Sequence, residues 1–262
     1  MENYLEENKA GWVEKLEPHL ASDFYDMYGF MNGKTSLNKF ELDLLGDVSG
    51  KKILHLQCHF GQDSISLSRM GAEVTGVDFS EQSVLKGQEL ATELNVNTKF
   101  ICSDIYSLPA ILDEQFDIVF TSYGTVTWLP DTDKWADVIQ RYLKPQGQFV
   151  FVDFHPFVWM YDDDLKKVIY KYSSPEAIVE EEEGSYADKH APIKTKSITW
   201  NHGIGKTVNS LLNAGLSLKN LQEYDYSPYS IFPEMEDIAP KKYRATQFGD
   251  KVPLVFSIVA EK

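Results

Sequence analysis

The chain has 262 residues, of which 43% are hydrophobic and 25% are charged, as in an ordinary globular protein. This length supports one sizeable core and allows one or two domains. Its 40 acidic side chains exceed its 25 basic ones, so the formal net charge is −15. The sequence holds no lysine and arginine cluster, and this charge would repel a phosphate backbone. We therefore expect a small-molecule substrate rather than a nucleic acid.

Cysteine content and hydropathy bear on the compartment. Cys58 and Cys102 are the two cysteines, too few for a disulfide framework. No run approaches the roughly 20 apolar residues of a membrane span. The first residues, MENYLEENKAGW, are too polar for a signal peptide. These observations predict a cytoplasmic protein without a membrane partner.

Residues 52–80 predict a strand, a turn, a helix and a second strand. An apolar strand leads into the turn Gln57–Gly61, and a helix is predicted to begin near Gln62. The second strand, Glu73–Val77, ends at Asp78. A helix N-terminus behind a turn offers free N–H groups to an anion, and a carboxylate at a strand tip suits two ribose hydroxyls. The unit therefore predicts a site for a nucleoside-containing cofactor.

Strand and helix signals continue to alternate after Asp78, which predicts a parallel sheet with right-handed crossovers. The predicted elements are a helix from Ser80 to about Leu94, strands at Lys99–Cys102 and Phe116–Thr121, a helix from Asp131 or Thr132 to about Leu143, and a strand at Gln148–Asp153.

The two ends of the chain differ from this core. Residues 1–47 look helical and aromatic, and we interpret them as a cap. His155–Asn201 is longer than an ordinary connection and contains the acidic run Glu180–Glu183, for which we expect a solvated lid surface. A helix at Gly205–Ala214 and strands at 218–226 and 252–260 are predicted to follow.

Five short segments of the core carry a further signal. They are a turn that ends in glycine after the first strand, then VTGVDFS, CSDIYSLP, FDIVFTS and LKPQGQFVFVDF. In this order they resemble the class I S-adenosylmethionine-dependent methyltransferases, whose last segment usually begins L-K-P-G-G. WLPD before Trp135 is a further likeness to bacterial small-molecule members of that family. The resemblance covers about Lys51–Phe154, with the strands near 216–226 and 252–260 as the expected closing hairpin.

The resemblance implies an α/β, Rossmann-like fold with an open, mostly parallel seven-stranded sheet and helices on both faces. It also implies S-adenosylmethionine as the cofactor. We predict a single domain over residues 1–262: a helical cap (1–47), a cofactor-binding core (48–154), a lid inserted after strand five (155–201) and a closing helix and strands (202–262).

The first turn departs from the family pattern, acidic-x-Gly-x-Gly-x-Gly. His55, Gln57 and His59 stand at the first three of these positions, and Gly61 alone is retained. In one interpretation the turn still presents its backbone amides, and Gln57 or His59 adds contacts to the methionine end of the cofactor. In the other the larger side chains block the site and catalysis is lost. The intact VTGVDFS and CSDI segments favour the first.

The resemblance also assigns cofactor contacts along the strand tips. Asp78 would accept from both ribose hydroxyls, although a helix N-cap is the simpler role. Asp104 and Ile105 would recognise adenine, although a turn aspartate is the alternative. The full predicted set is Tyr25, Gln57, Cys58, His59, Gly61, Asp78, Phe79, Ser80, Ser103, Asp104, Ile105 and Ser122.

The acceptor side is harder to assign. His155 could act as a general base because histidine titrates near neutrality, although a loop histidine bonded to backbone is the simpler interpretation. Tyr123 follows strand four at the mouth of the pocket and is the second catalytic candidate, with aromatic packing as its alternative. We predict Trp128, Tyr123 and His155 as substrate contacts.

Other classes of protein fit the sequence less well. His55, Cys58 and His59 lack a second ligand pair, so we expect no metal. CHFGQD does not supply the G-x-G-x-x-G of a dinucleotide oxidoreductase. A non-catalytic module that binds S-adenosylmethionine or its demethylated product remains the alternative to an enzyme. A cofactor-free oligomerisation scaffold fits least well, because the acidic strand tips are well formed.

Overall fold

The computed structural model describes residues 3–262, so residues 1 and 2 of the predicted cap lie outside the described part. Strands and helices alternate through its centre. The helices are α1 (Tyr4–Ala21), α2 (Met27–Met31), α3 (Lys39–Leu45), α4 (Gln62–Arg69), α5 (Glu81–Glu93), α6 (Thr132–Tyr142) and α7 (Ile204–Asn213). The strands are β1 (Lys52–Leu56), β2 (Glu73–Asp78), β3 (Thr98–Cys102), β4 (Phe116–Ser122), β5 (Leu143–Phe154), β6 (Ile178–Glu183), β7 (Lys194–Thr199), β8 (Ser217–Tyr224), β9 (Met235–Ala239), β10 (Lys242–Ala245) and β11 (Val255–Glu261).

Seven strands form the central sheet in the order β3-β2-β1-β4-β5-β11-β8. The first five are parallel to one another, and β11 runs antiparallel to both of its neighbours. This sheet confirms the predicted Rossmann-like α/β fold. Because neighbouring parallel strands end at the same edge, the turns after β1 to β5 lie in one row.

Helices cover both faces of the sheet, as the continuous apolar run Phe149–Val152 of β5 requires. Phe149 and Phe151 point to the face covered by α6 and α7, where they pack with the fully buried Trp135. Val150 points to the opposite face and packs with Leu67 of α4 and other buried residues. The core thus fixes the strands whose ends build the site.

The lid contains structure that the sequence did not predict. Glu180–Glu183 belongs to β6 and pairs with Lys194–Ser197 of β7, so it is a strand rather than only a solvated surface. The β6–β7 hairpin packs on α1: Asn8 Nδ2 donates to the carbonyl of Ile198, and the Ile198 N–H donates to Asn8 Oδ1, both at 2.8 Å. We call α1 and this hairpin the roof.

A second small hairpin, β9–β10, belongs to the connection between β8 and β11 and was also not predicted. Over residues 3–262, no helix combines the length and apolar character that a membrane crossing needs.

Candidate functional site

A cavity of about 1000 Å³ lies at the carboxyl edge of β1 to β5, beneath the roof. Side chains at each of the five strand ends line it: Gln57, Asp78, Ser103, Ser122 and Phe154. This is the edge at which open α/β sheets bind ligands. Its volume is at the upper end of the usual range for ligand pockets, so it has room for a cofactor and an acceptor together.

The turn after β1 keeps a glycine-like backbone although two of its three residues with positive φ carry side chains. The φ angles of Gln57, His59 and Gly61 are +55°, +51° and +79°. Residues with a Cβ adopt this left-handed region infrequently, and glycine adopts it without penalty. Positive φ angles at every second residue, Gln57, His59 and Gly61, therefore reproduce the backbone path expected of a turn with three glycines. Gly61 is also fixed by packing, since a Cβ there would lie 2.3 Å from the Phe100 ring.

The side chains of Gln57 and His59 in this turn are held by contacts within the protein. Gln57 Nε2 donates to the carbonyl of Thr125 at 2.9 Å. The His59 ring packs against Trp12 of α1, and its Nε2 lies 3.0 Å from Nδ1 of His19. Burial, together with His19 and Lys15, holds the pKa of His59 well below its usual value, so the ring is neutral at pH 7. Both side chains still line the cavity.

Asp78 lies at the tip of β2, buried at the cavity wall. Its Oδ1 accepts the Ser80 N–H at 2.9 Å, and its Oδ2 accepts the His59 N–H at 2.8 Å. Burial raises the pKa of this carboxyl to about 6, although these backbone donors oppose the shift. Each carboxylate oxygen keeps a free lone pair, so Asp78 can still accept from ligand hydroxyls. Ser80, not Asp78, is the N-cap of α5.

The tip of β3 lines the next part of the cavity with Ser103, Asp104 and Ile105. Asp104 Oδ1 accepts hydrogen bonds from the N–H groups of Tyr106 and Ser107 at 2.9 and 3.1 Å. Its carboxylate therefore stabilises the turn that follows β3. The carboxylate nevertheless borders the cavity. The role of this segment in adenine recognition stays a prediction.

At the β4–β5 end the cavity becomes an aromatic chamber. Tyr123 follows β4 with a φ of +45°, and its ring packs edge-on against Tyr229 at 5.1 Å between centroids. Asp63, in the first turn of α4, borders the same space and has its Oδ2 3.5 Å from the Ser122 hydroxyl. Further chamber walls come from Phe24, Trp128, Phe154, Trp159 and Phe232.

Acidic groups and phenols are close together in this chamber. Burial, with smaller contributions from Glu41 and Tyr229, raises the pKa of Tyr123 well above its usual value. Burial likewise raises the pKa of Asp63. Behind the wall, the fully buried Glu41 has a pKa raised to about 7 by burial and by Asp63. Tyr123 is therefore a neutral phenol at pH 7, and Asp63 is an acidic side chain that lines the chamber.

Two predicted contacts are not at the cavity. His155 Nε2 lies 2.7 Å from Glu223 Oε1 and its Nδ1 accepts the Phe157 N–H, so both ring nitrogens are occupied and the ring does not border the cavity. This contradicts its assignment as general base and substrate contact. Ser80 is fully buried and turned into its N-cap bonds with Ser83, which contradicts its assignment as a cofactor contact.

The other predicted site residues do line the cavity, but lining does not test their roles, which stay predictions. They are Tyr25, Gln57, Cys58, His59, Gly61, Asp78, Phe79, Ser103, Asp104, Ile105, Ser122, Tyr123 and Trp128.

Several cavity residues were not predicted from the sequence because they lie far from the strand tips along the chain. Trp12 and Lys15 come from α1, Asn38 precedes α3, and Tyr229 follows β8. Asp63 carried a usable signal, since an acidic residue at the start of the helix that follows the β1 turn must lie near the site.

The described residues hold no group of three or more potential metal ligands.

Comparisons with known proteins agree with this geometry. Residues 53–147 match a family model described as a methyltransferase domain. A ubiquinone biosynthesis O-methyltransferase of Acinetobacter baumannii (strain AYE) is 24% identical over 221 residues, 82% of this chain and 86% of the relative. An S-adenosylmethionine dependent methyltransferase from Mesorhizobium loti has a TM-score of 0.57 at 17% identity, covering 88% of this chain and 100% of that one.

A glycopeptide N-methyltransferase complexed with S-adenosyl-L-methionine has a TM-score of 0.52 at 15% identity, covering 83% of this chain and 89% of that one. The fold is thus that of the class I methyltransferases. The domain match over residues 53–147 agrees with this fold and lies within the predicted cofactor-binding core. The predicted resemblance to methyltransferases is confirmed over this segment.

The residues present fit this cofactor. Asp78 offers a carboxylate with free acceptor capacity at the cavity wall, and the turn retains a glycine-like backbone. The neutral His59 ring presents no charge to the site.

Proposed function

We propose that this protein transfers the methyl group of S-adenosylmethionine to an oxygen atom of a small-molecule acceptor. The observation that carries the proposal is one continuous cavity with two chemically different ends. Acidic strand tips and a glycine-like turn form one end, and an aromatic chamber with a carboxylate forms the other. The names of the sequence relatives support oxygen as the methylated atom.

Each end has its own task. Asp78 and Asp104 are proposed to hold the nucleoside, and the turn Gln57–Gly61 to face the methionine end. When bound, the cofactor supplies an activated methyl carbon on a sulfonium. The chain positions the acceptor in the chamber and excludes water. Such orientation can lower a barrier by about 7–11 kcal/mol.

The acceptor must lose a proton when its oxygen is methylated, and we assign that proton to Asp63. Asp63 lines the cavity at the chamber, and its raised pKa makes it a better base than an exposed aspartate. Tyr123 is protonated at pH 7 and is proposed to donate to, or pack against, the acceptor rather than to accept its proton.

The proposal is tested by transfer of a labelled methyl group from S-adenosylmethionine to an acceptor panel. The panel should hold phenols, catechols, carboxylic acids, amines and thiols, with heat-denatured protein as the control. We expect turnover with at least one hydroxyl acceptor. Turnover restricted to amines or thiols would exclude O-methylation while leaving the methyltransferase assignment intact.

A non-catalytic binding module is the second candidate, and the side chains of Gln57 and His59 are the observation in its favour. It predicts binding of S-adenosylhomocysteine without turnover of any acceptor. Mutating both residues to glycine distinguishes the two candidates: if turnover appears only in the double variant, then the native side chains suppress catalysis.

A further inference from the structure

Lys15 is a buried lysine in the wall of the cavity. It lies in α1, its side chain is 5% exposed, and it borders the cavity near the turn after β1. The other lysines that border the cavity, among the residues described, are exposed: Lys34, Lys39, Lys189 and Lys241. Burying an ammonium group is unfavourable unless an anion compensates for the lost hydration.

The anionic partner of Lys15 is a glutamate of the lid. Lys15 Nζ donates to Glu182 Oε2 of β6 at 3.0 Å. Glu182 is itself 45% exposed, and Lys15 has three N–H donors, so this single bond leaves donor capacity toward the cavity. The rings of Trp12 and Trp128 lie 5.7 and 6.0 Å from Nζ, within cation–π range.

The position of Lys15 indicates which part of a ligand it meets. Its charge lowers the pKa of His59, so the ammonium lies close to the turn after β1. The turn lies between the β2 tip, with Asp78, and the β4 end of the chamber. A ligand that runs along this row brings its middle or its acidic end beneath Lys15.

We propose that Lys15 is the carboxylate-binding residue of this cavity, and that a ligand carboxylate takes the place of Glu182. Binding would then break one side-chain contact between the lid and α1, coupling ligand entry to the roof. The carboxylate has two chemical sources, the amino-acid end of the cofactor or an acid group on the acceptor. The inference rests on the proposed function, since it uses the same cavity.

The alternative is that the Lys15–Glu182 pair only latches the lid to the cap. If the pair only joins the lid to the cap, substitution of either residue changes ligand affinity in the same direction. If a ligand carboxylate replaces Glu182, the two substitutions change ligand affinity in opposite directions. Loss of Lys15 weakens binding because Lys15 binds the ligand, whereas loss of the Glu182 charge removes a competitor for Lys15.

The experiment is calorimetric titration of wild type, Lys15→Met and Glu182→Gln. The probes are S-adenosylhomocysteine and 5′-methylthioadenosine, which lacks the amino acid. If the cofactor is the source, Lys15→Met weakens S-adenosylhomocysteine binding by about 10- to 100-fold, as expected for a hydrogen bond between charged groups. The same variant leaves 5′-methylthioadenosine binding within threefold, and Glu182→Gln leaves S-adenosylhomocysteine binding equal or tighter.

A second arm uses the protein saturated with S-adenosylhomocysteine and titrated with 4-hydroxybenzoate or with its methyl ester. If the acceptor is the source, Lys15→Met weakens binding of the acid only. Lys34→Met, which removes an exposed cavity lysine, is the matched control for general charge and should behave as wild type. Circular dichroism confirms that each variant is folded.

Equal loss of S-adenosylhomocysteine binding in Lys15→Met and Glu182→Gln, or no change for either carboxylate probe in Lys15→Met, would overturn the inference. Failure of the proposed function is distinguished by the acceptor panel, because wild-type protein would then transfer no methyl group to any acceptor, whether or not it binds S-adenosylhomocysteine.

Discussion

Asp78 combines burial, two backbone hydrogen bonds and a position on the cavity wall. Replacing it with asparagine keeps its size but removes the negative charge that strengthens hydrogen bonds from ribose hydroxyls. We expect Asp78→Asn to weaken S-adenosylhomocysteine binding more than tenfold in calorimetry. Asp163→Asn, at an exposed residue that borders the cavity, is the control. Unchanged affinity in Asp78→Asn would remove the ribose assignment.

Asp63 is the residue on which the proton-transfer proposal depends. Asp63→Asn should slow methyl transfer by about 100-fold or more, the usual contribution of a general base. S-adenosylhomocysteine affinity should change less than threefold, because the chamber is separate from the nucleoside end. In wild type, the rate should increase as the pH passes the raised pKa of Asp63. A variant that retains full turnover would show that the proton leaves by another route.

Helix α3 carries an acidic group into the core, and this has a consequence for stability. Glu41 is fully buried, and its pKa is raised from 4.5 to about 7 by burial. A raised native-state pKa means that the folded chain favours the protonated acid. Its stabilising contribution is therefore complete below about pH 4.5 and declines until pH 7.

Glu41→Gln removes this titration while keeping the shape of the side chain. Relative to wild type, the variant should gain about 3 kcal/mol of unfolding free energy between pH 4.5 and pH 8, from a shift of roughly 2.5 pKa units. Urea denaturation at both pH values measures the difference. A pH-independent difference would show that Glu41 is not protonated in the folded chain.

The turn before α4 depends on Gly61 both for its φ of +79° and for its contact with Phe100. Gly61→Ala combines left-handed strain with overpacking, so we expect a loss of about 2–4 kcal/mol of unfolding free energy. Thermal and urea denaturation test this. Gly205→Ala in α7, where an added Cβ meets nothing within 4 Å, is the control and should not destabilise.

At the scale of elements, the sequence predicts helices and strands well where hydrophobic periodicity agrees with the capping and turn residues. β1, α4, β2 and α5 lie within a few residues of their predicted bounds because apolar spacing and N-caps are local signals. The β6–β7 and β9–β10 hairpins were missed because exposed, charged strands such as Ile178–Glu183 lack apolar alternation. Their stability comes from packing that local sequence does not encode.

At the scale of the molecule, charge distinguishes the cofactor from its product. The chain carries −15, and acidic side chains such as Asp162, Asp163 and Glu180 border the cavity. The sulfonium gives S-adenosylmethionine one more positive charge than S-adenosylhomocysteine. We expect S-adenosylmethionine affinity to decrease several-fold more than that of its product between 50 and 500 mM NaCl, because salt screens this attraction. Equal salt dependence would contradict it.

The site itself was predictable only in part. The residues at strand tips, such as Asp78 and Asp104, were found because parallel strands end at one edge. Lys15 and Tyr229 reach the cavity through tertiary packing of the roof and the loop after β8. His155 was misplaced because its position after β5 does not reveal that Glu223 of β8 holds its ring away from the cavity.

The most direct test is calorimetric titration of the wild-type chain with S-adenosylmethionine and, separately, with S-adenosylhomocysteine. We expect both to bind at one site per chain with micromolar dissociation constants, because the altered turn keeps its backbone path and Asp78 remains available. Absence of binding by either compound would show that Gln57 and His59 close the site, and would contradict the proposed methyl transfer.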